Sequence, residues 1–274
     1  MSRPVSILGE IVARTRARVH ERRRELPLDR ILSTAPTPGG RRDFSAALSR
    51  TDRINVIAEF KRKSPSRGVI RTDLHPVRVA QAYEIAGAAA VSVLTEEEYF
   101  AGSLDDLQQA RSATLLPALR KDFIVDPYQV WESWIAGVDA LLLIVAVLSD
   151  AELKGLIATA AETGVETLVE VHSVVELARA LDADARVIGV NNRDLATFEV
   201  SLETSLSLIG GIPDDVLAVT ESGISTAAEI RRLREAGFDA FLVGEHLMVA
   251  PDPAAALEAL LSGGGASGSA SDDR

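Results

Sequence analysis

The chain has 274 residues, 47% of them apolar and 25% charged, with no cysteine and a formal net charge of −11. This apolar content suffices for a buried core, and the lack of cysteine excludes disulfides and thiolate metal sites and fits a reducing, cytoplasmic compartment. No apolar run approaches the roughly 20 residues that cross a bilayer, and Met1 to Glu10 lack the long apolar core of a secretory signal, so no membrane partner is expected.

Charge is spread unevenly. Residues 1–50 carry 11 Arg and five acids, a net of +6, and the remainder carries −17. In the basic arm Ile7, Leu8, Ile11, Val12 and Val19 recur at helical spacing. The cluster Arg22-Arg23-Arg24 has no interleaved aromatic residue, so bases would find no stacking platform. The pattern predicts an amphipathic helix laid on an acidic body, not a nucleic-acid-binding arm. Pro36-Thr37-Pro38-Gly39-Gly40 breaks this helical region.

From residue 51 onward two periodicities alternate. Short β-branched runs near 54–60, 90–95, 115–121, 139–145, 166–171, 187–191, 216–220 and 240–244 predict strands. Amphipathic stretches between them, such as 149–163 and 226–236, predict helices, and Gly137, Gly164 and Gly237 stand where helices end. Continuous runs such as Ala140-Leu141-Leu142-Leu143-Ile144-Val145 suit parallel strands buried on both faces. Eight strand–helix units at about 26 residues each predict an α/β protein, a (β/α)8 TIM barrel with an N-terminal helical extension. A doubly wound open sheet is the alternative, but the turn Lys61-Arg62-Lys63-Ser64-Pro65-Ser66-Arg67-Gly68 lacks the dinucleotide pattern. One barrel domain over 1–262, including the extension 1–50, and a flexible Gly/Ser-rich tail over 263–274 are expected.

Active sites of such barrels lie at the C-terminal strand ends. The chain has four Lys against 25 Arg, and Lys61, Lys63 and Lys121 all fall at strand ends. Lys, unlike Arg, can exchange its proton in a protein interior. Glu59 and Lys61 are two apart and share a strand face, whereas Phe60 points to the other. Glu170, Asn191, Glu221 and Ser222 end further strands. Charges of both signs at one mouth suit proton transfer, though an ion-pair network closing the barrel top would use the same residues. Gly223 and Gly244 let backbone amides approach a phosphate, with Ser64 adding a hydroxyl, or else are ordinary turn glycines. Phe100, Phe123 and Leu195 could wall a flat apolar group. The four His show no paired metal-ligand spacing, so no metal is expected and His172 reads as structural.

Seven ordered segments carry a resemblance. They are Ala58-Glu59-Phe60-Lys61-Arg62-Lys63-Ser64-Pro65-Ser66-Arg67-Gly68, Leu94-Thr95-Glu96-Glu97-Glu98-Tyr99-Phe100-Ala101-Gly102-Ser103, Leu119-Arg120-Lys121-Asp122-Phe123, Leu168-Val169-Glu170-Val171-His172, Gly189-Val190-Asn191-Asn192-Arg193-Asp194-Leu195, Glu221-Ser222-Gly223-Ile224 and Leu242-Val243-Gly244-Glu245. Together the chain resembles the indole-3-glycerol phosphate synthase family. Ala146 departs from members with a polar residue after strand 4, and His246 from members with a small residue there.

The resemblance implies a carboxy-lyase of tryptophan biosynthesis that needs no cofactor. Its substrate would be 1-(2-carboxyphenylamino)-1-deoxyribulose 5-phosphate. It implies Lys121 as acid with Glu170 relaying, Lys61 and Glu59 for the later dehydration, and the two Lys roles are interchangeable at this stage. Asn191, Glu221 and Ser222 would orient hydroxyls, and Arg193 would meet the carboxylate or form a loop salt bridge. Ser64, Gly223, Gly244 and the Glu245 amide would hold the phosphate. A small phosphorylated molecule is the expected partner, with a monomer as the starting expectation. The competing readings are a barrel isomerase acting on an aminosugar phosphate and a non-catalytic binding protein.

Overall fold

The computed structural model describes residues 7–34 and 40–262, so residues 36–39 of the expected break at 36–40 and the tail at 263–274 lie outside the described residues. Eight parallel strands close a barrel: β1 (Asn55–Phe60), β2 (Ala90–Leu94), β3 (Ala118–Lys121), β4 (Ala140–Ile144), β5 (Glu166–Val171), β6 (Val187–Asn191), β7 (Leu217–Glu221) and β8 (Ala240–Val243). β8 pairs with β1, in the register Asn55 to Ala240, and leaves no open edge. A two-residue hairpin, Lys63–Ser64 against Gly68–Val69, follows β1.

Strand alternation divides the core in two. Val56, Ala58, Phe60, Val91, Leu141, Leu143, Val169 and Phe241 face the surrounding helices. Ile57, Leu119, Leu142, Leu168, Val219 and Leu242 fill the barrel interior. Both sets are apolar because a parallel barrel strand meets water on neither face. The expected strand at 115–121 is shorter. Pro117 has no N–H to give to a ladder, Leu115 is 83% exposed, and pairing starts at Ala118.

The helices expected at 149–163 and 226–236 are Asp150–Thr163 and Ala227–Glu235. Each starts at a capping box, Ser149 with Glu152 and Thr226 with Glu229. Gly164 ends the first in the left-handed region, at φ 67°.

The N-terminal region supplies α1 (Ile7–Glu25), α2 (Leu28–Thr34) and α3 (Phe44–Leu48). α1 lies on the acidic body, as its sequence requires. Arg16 meets Glu152 at 2.8 Å, Arg18 meets Glu96 at 2.7 Å, and Arg22 meets Glu132 at 2.9 Å. Arg14 also pairs with Glu98. α3 closes the opposite end of the barrel. Phe44 and Leu48 enter the interior cluster, and Glu166 at the start of β5 accepts from the Phe44 N–H at 2.6 Å. Asn55 Nδ2 donates to Leu48 O at 2.7 Å, tying β1 to the same plug.

No helix among the described residues is long and apolar enough to cross a membrane. With the plug at one end, the strand C-termini are left to build a cavity at the other.

Phe44 is fully buried in the plug, so Phe44→Ala should lower the unfolding free energy by about 3–5 kcal/mol. Denaturant titration of both proteins measures this, and an unchanged midpoint would show that α3 does not close the core.

Candidate active site

A cavity of about 570 Å³ opens at the C-terminal strand ends, within the size range of small-molecule sites. Alternation places its polar lining. Glu59 continues the interior face of Ile57, Lys121 that of Leu119, Glu170 that of Leu168, and Glu221 that of Val219. Every one of the expected residues Glu59, Lys61, Lys121, Glu170, Asn191, Glu221, Ser222, Ser64, Phe100, Phe123, Arg193, Leu195, Gly223, Gly244 and Glu245 lines this one cavity. Lys63 does not join them. Its Nζ donates to Glu98 O at 3.0 Å on the surface.

Two amines sit there in different company. Lys61 Nζ donates to Glu59 Oε1 at 2.7 Å. Lys121 Nζ lies 2.8 Å from Glu170 Oε2 and 2.9 Å from Glu221 Oε2. Burial pushes the Lys121 pKa down, but the fields of Glu170, Glu221 and Glu59 outweigh it and hold the ammonium above its ordinary value. Burial likewise pushes Glu170 up, and Lys121 with His172 pulls it well below the carboxylate range. Glu221 goes the other way. Burial and the Glu170 charge outweigh Lys121 and push it up to about 7. Glu221 Oε2 is held by the Lys121 ammonium as an ion pair, and among the described residues neither Glu221 oxygen makes an aligned hydrogen bond. The site thus holds one firmly charged carboxylate and one whose pKa is pushed up, on either side of a single ammonium.

The rest of the mouth is built from turns. Asn191 Oδ1 accepts from the Arg193 N–H at 3.0 Å, and Asn192 Nδ2 donates to Ser222 O at 3.1 Å. Ser222 and Gly223 both have positive φ, 66° and 82°. A Cβ at Gly223 would fall 2.5 Å from Val200 Cγ1, so only glycine fits. Glu245 opens the short helix Glu245–Val249, and its carboxylate bridges Arg67 at 2.7 Å and Arg193 at 3.1 Å. Phe100 and Phe123 stand with ring centroids 6.3 Å apart on the apolar side.

Some functional features are not evident from the sequence. Ile7, Leu8 and Ile11 of α1 complete the apolar wall; their helical spacing is visible there, but not what they face. Gly244 makes room for a carboxylate of the barrel interior. A Cβ there would lie 2.2 Å from Glu59 Oε1. Gly189 does the same for Glu221, at 2.2 Å from its Oε1. A glycine in mid-strand is the available signal for such close approach. Among the described residues, no group of three or more His, Cys, Asp or Glu could hold a metal ion.

Gly189→Ala should leave the barrel intact and drive the Glu221 carboxylate away from Lys121. A crystal structure of the variant should show Glu221 Oε2 moved out of hydrogen-bonding reach of the ammonium, with Glu170 Oε2 still 2.8 Å from it. An unmoved Glu221 would contradict this account of the cavity wall.

Comparison with known proteins bears on the whole arrangement. The family described as indole-3-glycerol phosphate synthase matches residues 8–260. An indole-3-glycerol phosphate synthase of Polaromonas sp. (strain JS666) is 49% identical over 257 residues, covering 93% of this chain and 97% of the relative. That of Rhodopirellula baltica is 46% identical over 258 residues, covering 94% and 100%. Among solved structures, an N-acetylmannosamine-6-phosphate 2-epimerase from Clostridium perfringens has a TM-score of 0.57 at 15% identity, covering 70% of this chain and 86% of that one. A thiamine phosphate pyrophosphorylase from Pyrococcus furiosus has a TM-score of 0.58 at 16% identity, covering 77% and 95%. These last two share the barrel fold alone. With the match running through the motifs that line the cavity, the chain belongs to the indole-3-glycerol phosphate synthase family.

Proposed function

We propose that this chain closes the indole ring: it converts 1-(2-carboxyphenylamino)-1-deoxyribulose 5-phosphate into indole-3-glycerol phosphate, carbon dioxide and water in tryptophan biosynthesis. The observation that carries the reading is the pairing of two ammonium groups with separate carboxylates in one cavity, Lys61 with Glu59 and Lys121 with Glu170 and Glu221. The reaction has two stages that each need an acid.

In the first stage the ring carbon bearing the carboxylate attacks the ketone carbon of the sugar chain. The ketone oxygen becomes an alkoxide, and the aryl nitrogen becomes an iminium. Lys121 gives the alkoxide its proton. Although Glu170, Glu221 and Glu59 raise the Lys121 pKa, an alkoxide is more basic still, so the transfer runs downhill. Glu170 holds or relays the proton. The iminium then draws in the electron pair of the carbon–carboxylate bond, and carbon dioxide leaves.

In the second stage the new hydroxyl leaves as water. Lys61 protonates it, and Glu59 takes the proton from the neighbouring carbon, which completes the pyrrole ring. Asn191, Glu221 and Ser222 orient hydroxyls. Phe100, Phe123 and Leu195 wall the aryl ring. Ser64, Gly223, Gly244 and the Glu245 amide hold the phosphate, and Arg193, already at the mouth, meets the carboxylate. The reading includes a cytoplasmic monomer whose partner is this small phosphorylated molecule, with no nucleic acid involved. An aminosugar-phosphate isomerase would need one acid and one base, and would leave one of the two ammonium pairs without work.

Purified chain incubated with the carboxyphenylamino sugar phosphate should generate indole fluorescence. Lys121→Ala should lower kcat by about 10²- to 10⁴-fold with KM little changed. A variant with undiminished turnover would contradict the assignment, and a flat trace from folded wild-type chain would favour a non-catalytic binding protein.

A further inference from the structure

The chemistry just set out makes no use of His172, yet the ring stands directly beside the Glu170 carboxylate. It follows Glu170 by two residues, one position past the end of β5, and its ring reaches back to the Glu170 carboxylate. His172 Nδ1 lies 3.0 Å from Glu176 Oε2, and the same oxygen accepts from the His172 backbone N–H at 2.8 Å. Glu176 sits in the first turn of the helix Val174–Asp182. On its other side, His172 Nε2 lies 3.3 Å from Glu170 Oε1. This is an ion pair and not an aligned hydrogen bond, because Nε2 makes none among the described residues. The two oxygens of Glu170 are therefore divided: Oε1 faces the imidazole and Oε2 faces the Lys121 ammonium.

We propose that His172 is a positioning residue: its imidazolium, anchored from behind by Glu176, holds Glu170 through Oε1 and fixes the direction in which Oε2 meets Lys121. The proposal rests on the ring-closing reading, in which the Glu170–Lys121 contact carries the proton.

The surroundings favour the charged ring. Burial pushes the His172 pKa down, but its contacts with Glu170 and Glu176 outweigh this and push it up to about 10. The facing groups are Glu170 on its own strand, Glu176 on the following helix and Asp194 in the loop after β6, whose carboxylate the ring helps to hold low. Lys121 lies beyond Glu170. At neutral pH the imidazolium thus adds to Lys121 in keeping Glu170 ionised. Removing the positive ring raises the Glu170 pKa, so an acid limb set by Glu170 moves to higher pH. A ring that only tied β5 to its helix would change stability and leave that limb in place.

The test uses His172→Asn and Glu176→Gln, each alone and combined with Glu170→Gln, with kcat, KM, pH profile and thermal midpoint recorded. His172→Asn should lower kcat by roughly 10- to 100-fold with KM little changed, and move the acid limb up by about one pH unit or more. In the Glu170→Gln background it should cost almost nothing further, since its target is already gone. Glu176→Gln leaves the ring in place, so it should show the same pattern more weakly and serves even where His172→Asn folds poorly. Unchanged kcat and an unmoved acid limb in both variants would overturn the proposal, as would losses that simply add to those of Glu170→Gln. Either result with an active wild type sinks only this inference, whereas an inactive wild type sinks the ring-closing reading itself.

Discussion

The ammonium of Lys121, 2.8 Å from Glu170 and 2.9 Å from Glu221, sets the character of this cavity. Taking an ammonium out of water costs several kcal/mol. At an effective dielectric of about 20, a unit pair at 4 Å is worth about 4 kcal/mol, so two carboxylates at closer range more than offset that cost. The excess appears as the raised Lys121 pKa. The same arithmetic bears on the carboxylates. One ammonium can fully compensate one of them, and His172 assists Glu170. Glu221 is left as the surplus acid, its pKa pushed up by burial and by the Glu170 charge. The mouth therefore holds an ammonium, a firmly ionised carboxylate and a carboxyl group of raised pKa.

This electrostatic arrangement needs space as well as charge. Two of the carboxylates extend into space left open by a missing side chain. Gly189 leaves that space for Glu221, and Gly244 leaves it for Glu59. At the other side of the mouth, the turn through Ser222 and Gly223 and the pairing of Glu245 with Arg67 and Arg193 shape the end nearest the Ser64 hydroxyl. α1 covers the apolar side, and its Arg18 also grips Glu96, whose carboxylate accepts from the Tyr99 and Phe100 N–H groups. The helix that carries Phe100 into the cavity is thus pinned by the N-terminal extension.

Much of this is legible in the sequence because strand geometry is strict. Once the runs ending at Phe60, Lys121, Val171, Asn191 and Glu221 are read as parallel strands, alternation alone assigns Glu59, Lys121, Glu170 and Glu221 to the interior. Composition helps too, since scarce Lys at strand ends singles out Lys61 and Lys121. What stays hidden depends on approach between distant elements. Gly244 reads as a phosphate turn, and its clearance for Glu59 follows only from how β8 meets β1. Gly189 stands out only as part of a motif, because the reach of the Glu221 side chain across from β7 is not written in local pattern. His172 reads as structural because its two partners become visible only when the strand end and the next helix are folded together. The start of β3 is misplaced by the sequence pattern because Leu115 and Leu116 look like strand residues, while Pro117 and the surrounding turn decide otherwise.

Four lysines in 274 residues make the central claim directly measurable. Lysine-selective 13C and 15N labelling gives four side-chain resonances, and substitution of Lys121 assigns its own. The account predicts that the Lys121 ammonium keeps its charged-state shifts past about pH 10.4, the ordinary lysine midpoint, and that Glu170→Gln brings its titration down. A Lys121 resonance that loses its proton at or below that midpoint in the wild-type protein would contradict the account.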